Sequence, residues 1–129
     1  MAVFPIKKTL NTQHRDLLSH IFPTKQEDVD RIISYAQSDK AIKKVVVFGS
    51  AVTWGCGVNS DIDIAIQFYG SGKSSESDRQ FSKALSAITS LTHSDFDLIN
   101  YDKITNEHLK KDIDRNGVTV YADIHIEST

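Results

Sequence analysis

Residues 45–68 read VVVFGSAVTWGCGVNSDIDIAIQF, and the reading of this stretch decides the reading of the chain. Val45, Val46, Val47 and Phe48 form an unbroken apolar run rich in β-branched residues, the pattern of a strand buried on both faces. Gly49 follows; without a Cβ it permits a tight turn and a close approach of ligand to backbone. Ser50 is placed to cap a short helix beginning near Ala51, with its hydroxyl and the amides of that turn facing an anion. A second strand starts at Asp61. Residues two apart on a strand share a face, so Asp61 and Asp63 project together, with Ala65 and Gln67 beyond them. Ile62, Ile64, Ile66 and Phe68 take the opposite face and enter the core. No lysine or arginine stands among residues 51–68 to relieve the two like charges. A divalent cation relieves them more fully, and hard carboxylate oxygens suit Mg²⁺ or Mn²⁺.

A third carboxylate is found further on. Residues 93–101, HSDFDLINY, read as another strand, with Phe96 and Leu98 on one face and Asp95, Asp97, Ile99 and Tyr101 on the other. If this strand lies beside the Asp61–Phe68 strand, Asp97 joins Asp61 and Asp63. Asp95 competes with it, but Asp97 lies deeper in the strand, between apolar residues that fix its direction. Three convergent carboxylates are what a pair of metal ions about 3.5–4 Å apart requires.

In this order (Gly49-Ser50, then residues 51–60, then Asp61-Ile62-Asp63, then a later strand Asp97) the chain resembles the polymerase-β-like nucleotidyltransferase superfamily, and within it the minimal nucleotidyltransferases, or MNT domains. The closing stretch 113–121, IDRNGVTVY, is similar to the end of these small domains, so the resemblance covers roughly residues 40–122. It implies an α/β (α+β) fold with a small mixed β-sheet flanked by helices. It implies transfer of a nucleoside monophosphate, AMP from ATP, to a hydroxyl of a partner protein. Asp61, Asp63 and Asp97 are then the catalytic, metal-ligating residues for Mg²⁺ or Mn²⁺, and Gly49, Ser50, Ser60 and Lys73 contact the nucleotide. The implied partner is a HEPN-type protein, with the MNT chain the antitoxin half of the pair. Two other readings remain open: a non-catalytic antitoxin that occludes its partner, and a nucleotidyltransferase that modifies a small molecule such as an antibiotic.

One departure from the family pattern stands out. Members carry sequences like GSRARG after the strand, whereas here Ala51-Val52-Thr53-Trp54 follow Gly49-Ser50 and Gly55 comes one position late. A guanidinium that would pair with a triphosphate is therefore missing. Trp54 either stacks on a base or packs against the helix, and packing is the reading favoured here.

The rest of the chain supplies the frame. The 129 residues are expected to form one domain, with residues 1–23 as a helical extension. A helix is expected around 11–21, ended by Pro23. Thr24-Lys25-Gln26-Glu27 has the form of a capping box with Thr24 as N-cap. The helix after it carries Val29, Ile32, Ile33 and Ala36 at helical spacing. Residues 69–78 read as a Gly/Ser-rich connecting loop that lacks true phosphate-loop spacing, although Lys73 can swing toward a phosphate. Next come a helix with Phe81, Ala84, Leu85, Ile88 and Leu91 on its apolar face, the Asp97 strand, a helix over 105–116 with Gly117 as C-cap, and a short strand of Val118, Val120 and Ala122.

Composition narrows the partners. A 40% hydrophobic, 25% charged chain with a net charge of −2 is an ordinary globular protein and not a nucleic-acid-coating one, so direct nucleic-acid binding is not expected. No run reaches the ~20 apolar residues of a membrane span, and the N-terminus lacks a signal-peptide core. The single cysteine, Cys56, forms no internal disulfide and reads as an inert loop residue, which suits the cytoplasm. The five histidines lack ligand spacing and are read as non-ligands. Without a second domain to hold an acceptor, either a partner protein or a second copy of the chain, in a homo-oligomer, is expected to complete the site.

Overall fold

The computed structural model describes residues 2–70 and 75–123. The elements run α1 (Arg15–Leu18), α2 (Gln26–Ser38), β1 (Ile42–Phe48), β2 (Ile62–Phe68), α3 (Ser75–Leu91), β3 (Phe96–Asn100), α4 (Glu107–Asn116) and β4 (Val118–Ala122), with 3₁₀ turns at Pro23–Lys25, Gly49–Val52 and Tyr101–Lys103. The four strands form one mixed sheet in the order β3-β2-β1-β4. β1 pairs antiparallel with β2 and with β4, and β2 pairs parallel with β3. The parallel pair needs a crossover, and α3 provides it.

The period-2 pattern of β2 divides the molecule into two layers. Ile62, Ile64, Ile66 and Phe68 join Val45 and Val47 of β1, Val29, Ile32, Ile33 and Ala36 of α2, and Ala84 and Ile88 of α3 in the main core. Each of these isoleucines is fully buried, a contribution of about 1.5–3 kcal/mol apiece. On the other face Val46, Phe48 and Ala65 meet Ile113 of α4, flanked by Ile99, Ile104 and Leu109. Asp61 and Asp97 lie exposed at the end of the sheet where β1 finishes and β2 and β3 begin. Among the described residues no helix is long and apolar enough to cross a membrane.

Several local expectations are corrected. Thr24 is not an N-cap: it lies exposed within the Pro23–Lys25 turn, and α2 starts at Gln26 with no side-chain cap. Pro23, whose φ is preset for a helical turn, starts that turn one residue too early for the capping box to close. The expected helix over 11–21 shrinks to Arg15–Leu18. Beyond Leu18 the chain closes into tight turns, with the amides of His20 and Ile21 donating to the carbonyls of Leu17 at 3.2 Å and Leu18 at 3.0 Å, and the carbonyls of Ser19 and Ile21 accept from Phe4 and Gln26. Leu85 and Leu91 are exposed, because only one line of α3 (Phe81, Ala84, Ile88) reaches the core. Gly117 does stand at the C-cap of α4, but its φ is −69°, outside the left-handed region. Glycine is needed there for space, since a Cβ would come within 2.5 Å of both the Ile113 carbonyl and Val46 Cγ1.

The N-terminal segment is clasped by a buried polar side chain. Gln26, fully buried, accepts from the amide of Lys7 at 3.0 Å and donates to the carbonyls of Pro5 at 2.8 Å and Ile21 at 3.0 Å. Both amide hydrogens and the amide oxygen have partners in that segment, which is how a buried amide avoids a desolvation penalty.

Candidate active site

The site begins with the turn. β1 ends at Phe48, and Gly49 adopts φ +73°, a left-handed conformation that L side chains rarely take. A second constraint acts at the same position, because a Cβ on Gly49 would overlap Oδ2 of Asp63. The carboxylate thus lies directly against the glycine backbone. The register explains why: Phe48 is the cross-strand partner of Asp63. Ser50 does not cap the turn with its hydroxyl, contrary to expectation. Its carbonyl instead accepts from the amide and the hydroxyl of Thr53, both at 3.0 Å, which closes a 3₁₀ turn too short for a helical N-terminus.

The carboxylates come next. β3 lies parallel to β2 with Asp97 directly opposite Asp63, so both side chains leave the same face of neighbouring strands. Asp61 sits one residue before β2, exposed, and close enough for its charge to act on Asp63. Burial, and then the charges of Asp97 and Asp61, push the Asp63 carboxyl above the usual carboxylate range. Among the described residues no lysine, arginine or histidine forms an ion pair with any of the three. Asp95 stands apart: it precedes β3, and its carbonyl accepts from the amide of Ile62 at 3.0 Å.

The donor set suits a hard divalent cation: three carboxylates at one sheet end, with no ion pair to any of them among the described residues. The fit is in chemistry and placement. Among the described residues, no three His, Cys, Asp or Glu side chains are already gathered into a closed metal-binding group.

The remaining expected residues are dispersed. Ser60 is half-buried and its hydroxyl accepts from the amide of Gly57 at 2.9 Å, closing its own loop. It lines a different groove, with Lys25, His93 and Asp95. Lys73 lies outside the described residues. Trp54 packs, but not as a buried residue: its ring meets Phe4 at 4.6 Å and Phe22 at 6.3 Å between centroids, and it remains 67% exposed. His14 pairs with Asp30 at 2.6 Å, far from the site in the chain.

The scaffold behind Asp97 is polar and specific. Asp28 of α2 accepts from the amides of His93 at 3.0 Å and Ser94 at 2.8 Å, just before β3. Burial acts to raise its carboxyl, but the Ser94 hydroxyl, the two amides and the Arg31 guanidinium outweigh it, and the net position is below the usual range.

Sequence reasoning missed the groove on the far side of Gly49. It has a volume of ≈ 570 Å³ and is lined by Thr53 and Trp54 on one wall and Asp112, Arg115 and Asn116 on the other. No local pattern announces it, because it arises from the β1–β4 pairing, which sets residues far apart in sequence side by side.

A four-stranded mixed sheet with a glycine turn after its first strand, and acidic residues at the start of the next two, defines a nucleotidyltransferase-type domain. The family model for "Polymerase beta, Nucleotidyltransferase" matches residues 30–124, and the chain belongs to that family. Among solved structures, the chain is similar to one in a toxin–antitoxin crystal structure with AMP-PNP, at 22% identity and a TM-score of 0.50, over 71% of this chain and 72% of that one. A chain of the MntA–HepT toxin–antitoxin matches at 21% identity and a TM-score of 0.49, over 76% and 73%. A chain from the complex of tri-AMPylated Shewanella oneidensis HEPN toxin with MNT antitoxin matches at 18% identity and a TM-score of 0.46, over 78% and 73%. At these identities the likeness is one of fold. No curated protein sequence matches significantly.

Proposed function

We propose that this chain is a metal-dependent nucleotidyltransferase that moves AMP from ATP to a hydroxyl of a HEPN-type partner protein, as the antitoxin half of a pair. The observation that carries this reading is the Asp63–Asp97 register, with Asp61 beside it and, among the described residues, no lysine, arginine or histidine ion-paired with any of the three. Family membership supports the reaction class. The fold likeness to a toxin–antitoxin structure containing AMP-PNP supports the nucleotide and the setting.

In this mechanism Asp61, Asp63 and Asp97 would hold Mg²⁺ or Mn²⁺, which would supply charge stabilisation on the attacking and leaving oxygens. Gly49 keeps the backbone close and free of side-chain bulk, so that a polyphosphate can approach the carboxylates. The acceptor hydroxyl oxygen forms a bond to the α-phosphorus while the bond from that phosphorus to the β-bridging oxygen breaks, and pyrophosphate leaves. Asp97, on edge strand β3 and exposed, would take up the hydroxyl's proton as the new bond to phosphorus forms. Truncating a group that acts in the transition state commonly costs a factor of ~10²–10⁴ in rate.

A second reading, a binding module that neutralises its partner by occlusion, is favoured by one observation: the three carboxylates are not drawn into a closed ligand group. Incubating the chain with α-labelled ATP, Mg²⁺ and the protein encoded beside it separates the two. Label on the partner with wild type, and far less with Asp97→Asn, supports the transferase. No label with either, while both still neutralise the partner, leaves the binding module.

A further inference from the structure

The groove beyond Gly49 bears on the cation missing from the Gly49-Ser50 turn. Val118 of β4 is the register partner of Val47 of β1. The last residues of α4 therefore emerge beside the residues that leave β1. This places Arg115 and Asn116 across a ≈ 570 Å³ groove from Thr53 and Trp54, with Gly49 between them. Gly49 also abuts Asp63. A molecule in this groove is one glycine away from the carboxylates.

The two walls differ in chemistry. Arg115 is exposed and forms no ion pair among the described residues, so its planar fork of donors is available. The carboxylate on its wall, Asp112, accepts a hydrogen bond from Asn116 Nδ2 at 2.8 Å, which turns it toward its own helix. Opposite, Trp54 is braced by Phe4 and Phe22 and still two-thirds exposed. An indole held by its neighbours with one face open is suited to stacking on a planar ring, at little cost in side-chain entropy.

We infer that this groove is the ATP site: Arg115 binds the phosphates in place of the arginine absent after Gly49-Ser50, and Trp54 stacks on the base. The assignment rests on the nucleotidyltransferase reading above and adds the residues that give it affinity. Guanidinium–phosphate pairs are charge-assisted and bidentate, so a single arginine placed from another element can replace one lost from the turn.

Trp54 is the chain's single tryptophan, so its fluorescence reports on the groove alone. The test titrates ATP and, separately, adenosine into the full chain with Mg²⁺, reading tryptophan emission and calorimetric heat. ATP is expected to quench Trp54 in the wild type. Arg115→Ala should weaken ATP binding by roughly ten- to a hundredfold, with adenosine affinity unchanged. Arg115→Lys should fall between them, and it preserves the test if the alanine variant melts early. Lys111→Ala, on α4 but outside the groove lining, should match the wild type. ATP binding to Arg115→Ala at wild-type affinity would overturn the Arg115 assignment and leave the nucleotidyltransferase reading standing. ATP binding that leaves Trp54 emission unchanged would overturn the placement in this groove. A wild type that takes up no ATP would overturn both.

Discussion

Gly49 and Asp63 occupy one space: the glycine's missing Cβ is where Oδ2 of the aspartate sits. The turn and the carboxylate are thus one device, built by the Phe48–Asp63 register at the end of β1. Gly49→Ala has to pay twice, for a left-handed backbone at φ +73° and for moving Asp63 aside. The backbone alone costs about 1–3 kcal/mol. Chemical denaturation should show at least that loss, and divalent-ion binding should weaken with it. A Gly49→Ala variant of wild-type stability and metal affinity would mean that turn and carboxylate are independent.

Asp63 itself should make the metal-free protein less stable as pH rises. Its folded-state carboxyl lies above the ordinary value of 3.8 through burial and the charges of Asp97 and Asp61. The folded state therefore binds its proton more tightly than the unfolded chain does. The resulting penalty is full at neutral pH, diminishes as pH falls through the raised folded value, and is gone below the unfolded one. Asp63→Asn, assayed with a chelator present, should melt higher than wild type at pH 7, with the gap closing on acidification. A lower melting temperature at pH 7 would make Asp63 a structural residue.

Asp28 should behave in the opposite way. Its folded carboxyl lies below the ordinary value, so its contribution is present above pH ~4, the unfolded value, and lost as pH falls through the folded one. Asp28→Ala leaves the amides of His93 and Ser94 without their acceptor, at a cost of roughly 2–3 kcal/mol. Urea melts at pH 7 and pH 3 should show a smaller difference from wild type at the lower pH. Because those amides precede β3, hydrogen exchange should also rise around Asp97. An equal deficit at both pH values would contradict this.

Gln26 holds the N-terminal segment in place, and that segment carries Phe4, which braces Trp54. Gln26→Ala should cost about 2–3 kcal/mol through the unpaired backbone groups it leaves buried. Residues 2–10 should then become sensitive to limited proteolysis while the sheet core stays protected. Uniform loss of protection would place Gln26 in the global core instead.

What was legible in the sequence follows the range of each interaction. The alternation of Ile62, Ile64, Ile66 and Phe68 with Asp61, Asp63, Ala65 and Gln67 identifies β2 and its two faces, because the strand period acts residue by residue. The pairing of Asp97 with Asp63 was legible only as a condition on strand order, and the parallel β2–β3 ladder meets it. Helix ends are less legible. Local pattern makes Thr24 a cap and 11–21 a helix, whereas the Pro23 turn displaces the cap and the first helix closes after Leu18. Arg115 had no signal of its own. Its nearness to Gly49 exists only once β4 has paired with β1.

The measurement that bears most directly on the central claim, that three carboxylates at one sheet end act together on a divalent ion, is a calorimetric titration of Mn²⁺ into the chain with and without a non-hydrolysable ATP analogue. Wild type should bind Mn²⁺ weakly alone and more tightly with the analogue. Asp63→Asn and Asp97→Asn should each weaken binding tenfold or more, by roughly 1.4 kcal/mol at least, and the Asp61→Asn, Asp63→Asn double variant should abolish it while remaining folded. Wild-type Mn²⁺ affinity in that double variant would contradict the account.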